Sequence, residues 1–234
     1  MKKLIIIPTL NEEGNISKLL ENIIKLKLNF TVLIIDDNSK DLTRKKILYY
    51  NKKYNFVKYV FRSKRLGIGS AHKCGFKWAL KNKFDLCVTI DADLTHNPFM
   101  IKKMLNVLNS NKALIVNTSR FLKNDSLKSW PLPRIIITWF RYVLVRIILK
   151  TKLDSSGGFR LYNLRKIKKK HLFLAKNNSY FFLIESLFYY EQLKYKIQEI
   201  PIVLSYRLYG SSKMRLKDIF DSFLNIIKLR LNKF

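Results

Sequence analysis

The chain has 234 residues, 48% of them hydrophobic, and carries 46 Lys and Arg against 16 Asp and Glu, a formal net charge of +30. That length and apolar content suffice for a buried core and exclude a disordered basic tail. Cys74 and Cys87 fit neither a C-x-x-C nor a zinc spacing, which excludes a zinc knuckle and suits a reduced compartment; the charge favours anionic partners, although a Lys-, Asn- and Ile-rich composition also supplies solvated surface.

The N-terminal "MKKLIIIPTLNEE" has a short apolar run, Leu4–Ile7, before Pro8. It is too short for a signal peptide and reads as a first strand. Apolar runs and helical patterns then alternate. "KLIIIP" precedes "EEGNISKLLENIIKL", "TVLIIDD" precedes "DLTRKKILYYNKK", and "FVKYVF" precedes "GSAHKCGFKWALK". "DLCVTIDAD" precedes "PFMIKKMLNVLNS", and "ALIVNTS" follows. Continuous apolar strands alternating with helices predict an α/β fold with a mostly parallel, Rossmann-like sheet covered on both faces. Ligands of such sheets sit beyond the carboxyl ends of the strands, here Thr9–Glu13, Asp36–Ser39, Asp91–Thr95 and Asn117–Arg120. Gly67 and Gly69 begin a dinucleotide fingerprint, but His72 stands where its third glycine belongs, so a nicotinamide site is not expected.

The second half opens with "RIIITWFRYVLVRIILK", residues 134–150. Arg141 and Arg146 interrupt it, and no window reaches the roughly 18 apolar residues of a spanning helix. Two placements stay open for it: at a membrane interface, with Arg134, Thr138 and Arg141 on one edge, or packed on the sheet. A Gly-centred turn "LDSSGGFRLY", a helix "YFFLIESLFYYEQL", a strand "KIQEIPIVLSY" and a loop "RLYGSSK" follow. A basic amphipathic helix over 214–234 ends the chain, with Leu216, Phe220, Phe223, Ile227, Leu231 and Phe234 at helical spacing. Neither a repeat nor a Gly/Ser linker divides the chain, so residues 1–213 read as one domain with that helix appended.

Asp91 and Asp93, one residue apart at the end of an apolar strand, are placed to converge on one hard cation. Oxygen-only ligation suits Mg²⁺ or Mn²⁺, with substrate phosphate completing the shell. Asp36 and Asp37 end the neighbouring strand in the same way, and two such pairs are expected to line one crevice. His96 reads as a loop residue.

In that order, "PTLNEEGNI", "LIIDDNSKDLT", "RLGIGSAHKCGFKWAL", "IDADLTHNP", "NTSRF", "DSSGGFRLY" and "YRLYGSSK" resemble the inverting GT-A glycosyltransferases, and among them the dolichyl-phosphate (polyprenyl-phosphate) mannosyltransferases. The resemblance runs from Pro8 to Lys213. It implies a GT-A fold with amphipathic interfacial helices in the C-terminal half, and a metal-dependent enzyme. That enzyme moves a hexose, mannose from GDP-mannose first, with inversion onto a polyprenyl or dolichyl phosphate. It further implies that Pro8, Glu12, Ile35 and Asp37 hold the nucleoside, and that Asp91, Ala92 and Asp93 meet the sugar nucleotide. Asp91, Asp93 and Thr95 would bind Mg²⁺ or Mn²⁺. Arg120, Arg207 and Lys213 would surround the phosphates, while Arg120, Arg134 and Thr138 receive the acceptor phosphate; Asp91, Asp93 and Arg120 form the catalytic set. Leu10 stands where the family usually has an aromatic residue, and His72 where it often has Tyr.

The expected setting is peripheral, on the cytoplasmic face of an anionic membrane, with a membrane-anchoring partner chain allowed and no nucleic acid. Two rivals remain. A UDP-sugar enzyme acting on a polyprenyl phosphate or an envelope saccharide would need a base for a neutral hydroxyl, with Asp154 and Glu185 as candidates. A basic nucleic-acid- or membrane-binding module explains the charge but not the acidic pairs, and no nucleic-acid motif accompanies it.

Overall fold

Strands β1 (Lys3–Thr9) and β2 (Thr31–Asp36) send alternate side chains to opposite faces of a sheet. Both faces are dry: Ile5, Ile7, Val32 and Ile34 join one core cluster, and Leu4, Ile6, Leu33 and Ile35 the other. That is why these runs are continuously apolar rather than alternating. In this computed structural model, which describes residues 1–205, 209 and 216–231, the sheet has seven strands. The others are β3 (Val57–Phe61), β4 (Leu86–Thr89), β5 (Ile115–Ser119), β6 (Arg160–Asn163) and β7 (Ile197–Pro201), and the order across the sheet is β3-β2-β1-β4-β6-β5-β7. β6 runs antiparallel to both its neighbours; the other pairings are parallel.

Helices α1 (Ile16–Lys25), α2 (Thr43–Lys53), α3 (Ile68–Lys81) and α4 (Met100–Ser110) fall on the predicted segments; α1, α2 and α4 start two to four residues later than expected and α3 one residue earlier. α5 (Leu132–Leu149), α6 (Phe181–Gln192) and α7 (Leu216–Leu231) follow, with a 3-10 turn at Lys169–Phe173. Val145 and Leu149 of α5, Phe181, Ile184 and Phe188 of α6, and Ile226 and Leu229 of α7 form a third core cluster, which holds these helices together.

α5 is not buried on the sheet. Only Thr138, Val145 and Leu149 of its residues are buried, while Ile136, Phe140, Val143 and Ile147 are exposed. On α7, Phe223, Ile227 and Leu231 of the predicted stripe are also exposed; Ile226 and Leu229 anchor the helix instead. Among the described residues no helix is long and apolar enough to cross a membrane.

Candidate active site

The chain reverses at the carboxyl ends of β1, β2, β4 and β5, and the polar residues there surround a cavity of about 930 Å³. Pro8 and Thr9 come from β1, Asp37 follows β2, Asp91 to Asp93 follow β4, and Arg120 follows β5. The far wall is α5, through Arg134, Thr138 and Arg141, with Ser222, Phe223 and Ile226 of α7 beside it.

The two acidic pairs behave differently. Asp36 is fully buried and turned away from the cavity: Arg44 Nε donates to its Oδ1 at 2.5 Å, and Ser39 caps it through both backbone and hydroxyl. The expectation that both pairs line one crevice therefore holds only for Asp37. Its carboxylate accepts hydrogen bonds from Arg62 Nη1 at 2.7 Å and from the backbone N–H groups of Leu66 and Gly67, each at 2.8 Å. Asp37 thus fixes the 62–67 loop over the cavity. These three donors leave about one of the carboxylate's four acceptor positions open towards the cavity.

Asp91 and Asp93 both face the cavity. The side chain of Asp91 is 32% exposed, and its backbone N–H donates to His96 Nδ1 at 3.4 Å. Thr95 donates to Asp93 Oδ1 from its hydroxyl at 2.7 Å and its N–H at 3.1 Å, so it orients that carboxylate. His96 lies in the loop between β4 and α4, as expected, and is buried there: its ring stacks on Phe159, 5.2 Å between centroids, beside the Asp91 carboxylate. Gly158 passes so close that a Cβ there would lie 3.1 Å from Asp91 Oδ1, and Thr89 holds that loop by donating to the Gly158 carbonyl at 2.6 Å. The chain offers two carboxylates and a hydroxyl here, and the nearby His96 Nδ1 is taken up by the Asp91 N–H. Among the described residues no three His, Cys, Asp or Glu gather for a metal, so a cation at this pair would complete its shell from outside the chain.

Arg120 forms a buried fork with Asp154: Nε to Oδ2 at 2.8 Å, Nη2 to Oδ1 at 2.6 Å, and the Arg120 N–H to Oδ2 at 3.0 Å. Burial alone would raise the Asp154 carboxyl, but the Arg120 guanidinium overrides it and holds the group below the usual carboxylate range. Asp154 is thus a committed anion and not a general base. Glu185 accepts the N–H groups of Lys176 and Asn177 and is outside the cavity lining, so it too is occupied structurally. Behind Arg120, the fully buried Arg160 donates to Asn117 Oδ1, Ser186 Oγ and the carbonyls of Ser155 and Leu183. Asn117 in turn donates to Glu199.

Of the residues singled out from the sequence, Pro8, Glu12, Asp37, Asp91, Ala92, Asp93, Thr95, Arg120, Arg134 and Thr138 all line this cavity. Ile35 does not; it is fully buried in the core beneath. Arg207 and Lys213 lie outside the described residues, as do Lys233 and Phe234. Sequence reasoning assigned no role to Arg62, Ser156 or Arg160. Ser156 and Arg160 sit inside the "DSSGGFRLY" motif, which was the signal for them; Arg62 carries none.

Residues 4–170 match the family model described as glycosyl transferase family 2. An undecaprenyl-phosphate mannosyltransferase of Micrococcus luteus is 28% identical over 97% of this chain and 93% of its own length. A dolichol-phosphate mannosyltransferase of Pyrococcus furiosus is 32% identical over 98% of this chain, which spans 64% of that protein. A glucosyl-3-phosphoglycerate synthase of Mycobacterium tuberculosis, solved with Mn²⁺, UDP and glucosyl-3-phosphoglycerate, superposes with a TM-score of 0.65 over 98% of this chain and 78% of its own. At 17% identity that likeness concerns the fold, which is the GT-A fold.

Proposed function

The chain belongs to glycosyl transferase family 2, and from that premise we propose that it transfers mannose, with inversion, from a nucleoside-diphosphate sugar (GDP-mannose first) to a polyprenyl phosphate at a membrane surface. One observation carries this reading. A single cavity joins the Asp91–Asp93 pair at the strand ends to a helix, α5, that lines it with Arg134, Thr138 and Arg141 while leaving Ile136, Val143 and Ile147 exposed on its outer face. The mannosyltransferase names of the two curated relatives support the same donor sugar and acceptor class.

The donor's sugar nucleotide would lie across Pro8, Glu12 and the loop fixed by Asp37. Asp91 and Asp93, with the Thr95 hydroxyl beside them, would hold Mg²⁺ or Mn²⁺. When bound, such an ion neutralises charge on the diphosphate as it leaves. The residues fit it: two carboxylates and a hydroxyl, and Gly158 with no Cβ to crowd Asp91. Arg120, held rigid by Asp154, keeps a cation facing the same charge without reorganising during reaction.

A phosphate-monoester oxygen would attack the anomeric carbon from the face opposite the diphosphate. The new carbon–oxygen bond forms as the old one breaks, and the nucleoside diphosphate departs with the electron pair. The nucleophile is already an anion, so it needs positioning rather than a base. This agrees with the engagement of Asp154 and Glu185 elsewhere, and disfavours a neutral saccharide acceptor.

The test is a donor panel of GDP-mannose, UDP-glucose and UDP-N-acetylglucosamine, with polyprenyl phosphate and Mg²⁺ or Mn²⁺. Radiolabel entering the organic phase from GDP-mannose alone is the expected outcome. Transfer to a soluble saccharide and none to lipid would overturn the reading. Asp93→Asn is expected to abolish metal-dependent turnover while leaving the far-ultraviolet circular dichroism unchanged; full activity in that variant would remove Asp93 from the cation site.

A further inference from the structure

Arg141 stands on the inner face of α5, one turn past Thr138 and two past Arg134, and all three line the cavity. Its surroundings differ from those of its neighbour Arg120. Arg120 is paired with Asp154 through the buried fork. Arg141 reaches only the Ser156 hydroxyl, at 3.4 Å from Nη2, and its Nε is buried without a hydrogen-bond partner in the protein. Arg120 Nη2 donates to that same Ser156 hydroxyl. Two guanidiniums therefore meet at one hydroxyl, and the Asp154 carboxylate beside them is hydrogen-bonded to Arg120 and not to Arg141. Among the described residues Arg141 joins none of the ion pairs.

Arg141 is half-buried, with its Nε shut off from water, and an unpaired buried donor on an unpaired cation costs free energy. Burial, with Arg120 adding repulsion, pushes the Arg141 guanidinium down to about 10. Val145 and Leu149, further along the same side of α5, sit in an apolar cluster, and an anion seated in the cavity would supply the counter-charge that no ion pair of Arg141 provides among the described residues.

We infer that Arg141 binds the acceptor's phosphate together with Arg134 and Thr138, and that its charge is compensated only when this anion is seated. The inference rests on the polyprenyl-phosphate reading above. A phosphate monoester carries close to two negative charges at neutral pH, which the two arginines match. Guanidinium forks suit phosphate oxygens. The donor's diphosphate presents the same chemistry, but Ile137, Phe140 and Leu144 of α5 and Phe223 of α7 also line the cavity at this wall, and they suit an isoprenyl chain rather than a nucleoside.

The experiment uses the full chain, with Arg141→Gln and Arg141→Met as polar and apolar replacements and Arg141→Lys as the charge-preserving control. Farnesyl phosphate, farnesol and GDP with Mg²⁺ are the probes, and calorimetric Kd and thermal unfolding are the readouts. Loss of Arg141 is expected to weaken farnesyl phosphate by about tenfold or more, with farnesol and GDP within about twofold and Lys recovering part of the loss. The unliganded Gln and Met variants should melt at or above the wild-type temperature, since a costly charge is gone. A structural arginine would do the reverse, lowering the melting temperature and weakening all probes together, and that result overturns the assignment. So does GDP weakening as much as farnesyl phosphate, which would move Arg141 to the donor side. If wild type prefers farnesyl phosphate to farnesol and both variants keep that preference, Arg141 alone is wrong. If wild type shows no preference, the lipid-phosphate reading falls with it.

Discussion

Asp154 and His72 are buried ionisable residues whose environments set opposite expectations. Asp154 is only 1% exposed and holds Arg120 through three hydrogen bonds. Asp154→Asn would leave the guanidinium buried against a neutral partner, a change that costs about 3–5 kcal/mol in comparable pairs. Urea unfolding of the variant checks this; a loss under about 1 kcal/mol would mean that the fork is dispensable to the fold. His72 is buried against Phe182, and its Nε2 has no hydrogen-bond partner in the protein. Burial, with Arg160 adding repulsion, pushes its imidazole down from 6.5 to about 3. As pH falls below 6.5 the unfolded chain gains a proton on this ring, and the folded chain does not until about 3. The stability from neutral His72 is thus complete above 6.5 and lost progressively towards 3. His72→Phe should flatten the acid side of the stability profile, gaining on wild type by up to about 1 kcal/mol per pH unit below that point. Parallel profiles for the two proteins would refute the assignment.

At the scale of elements, what was legible in the sequence depended on how each strand is buried. β1, β2, β4 and β5 are covered on both faces, so they announce themselves as apolar runs ending in polar residues at the cavity. β6 was read as part of a turn. It is short, lies antiparallel between β4 and β5, and begins with Arg160, a residue type that pattern reasoning places outside. Only the tertiary network around Asn117 makes a buried arginine there tolerable. The splitting of Asp36 from Asp37 was equally illegible. Adjacent strand residues point to opposite faces, but which carboxylate faces a ligand depends on Arg44 and Arg62, which come from other elements. The glycines at the start of α3, Gly67 and Gly69, unconvincing as a nucleotide fingerprint, have a packing role. Gly67 has φ +89°, and a Cβ on it would meet the Asn178 carbonyl at 2.3 Å. Gly67→Ala combines that clash with a left-handed backbone, and a loss of about 2 kcal/mol or more is expected. The 176–180 segment should gain amide hydrogen exchange at the same time; unchanged protection there would show that it does not depend on this contact.

For the whole molecule, the outer face of α5 is unusual for a helix in water. Arg134, Thr138 and Arg141 line the interior cavity, while Ile136, 59% exposed, Val143 and Ile147, 70% exposed, face out. Exposed Phe223, Ile227 and Leu231 of α7 extend the apolar surface, and Arg146, Lys150, Lys228 and Arg230 are exposed on the same two helices. Contiguous apolar surface rimmed by cations suits the headgroup boundary of an anionic bilayer, where the chain's charge of +30 adds long-range attraction. The wild-type protein is therefore expected to sediment with vesicles rich in phosphatidylglycerol, and less so at high salt, because the Debye length shortens from about 10 Å at 0.1 M to about 3 Å at 1 M. Ile136 and Ile147 are outside the cavity lining. The double variant Ile136→Glu/Ile147→Glu removes roughly 3 kcal/mol of apolar transfer and adds repulsion, so vesicle binding should fall by about a hundredfold. Turnover with a short, water-soluble isoprenyl phosphate should change little, because that acceptor reaches Arg134 and Thr138 without a bilayer. If the variant still binds vesicles, membrane docking lies on another face; if it loses the soluble reaction as well, the outer face of α5 also shapes the acceptor site.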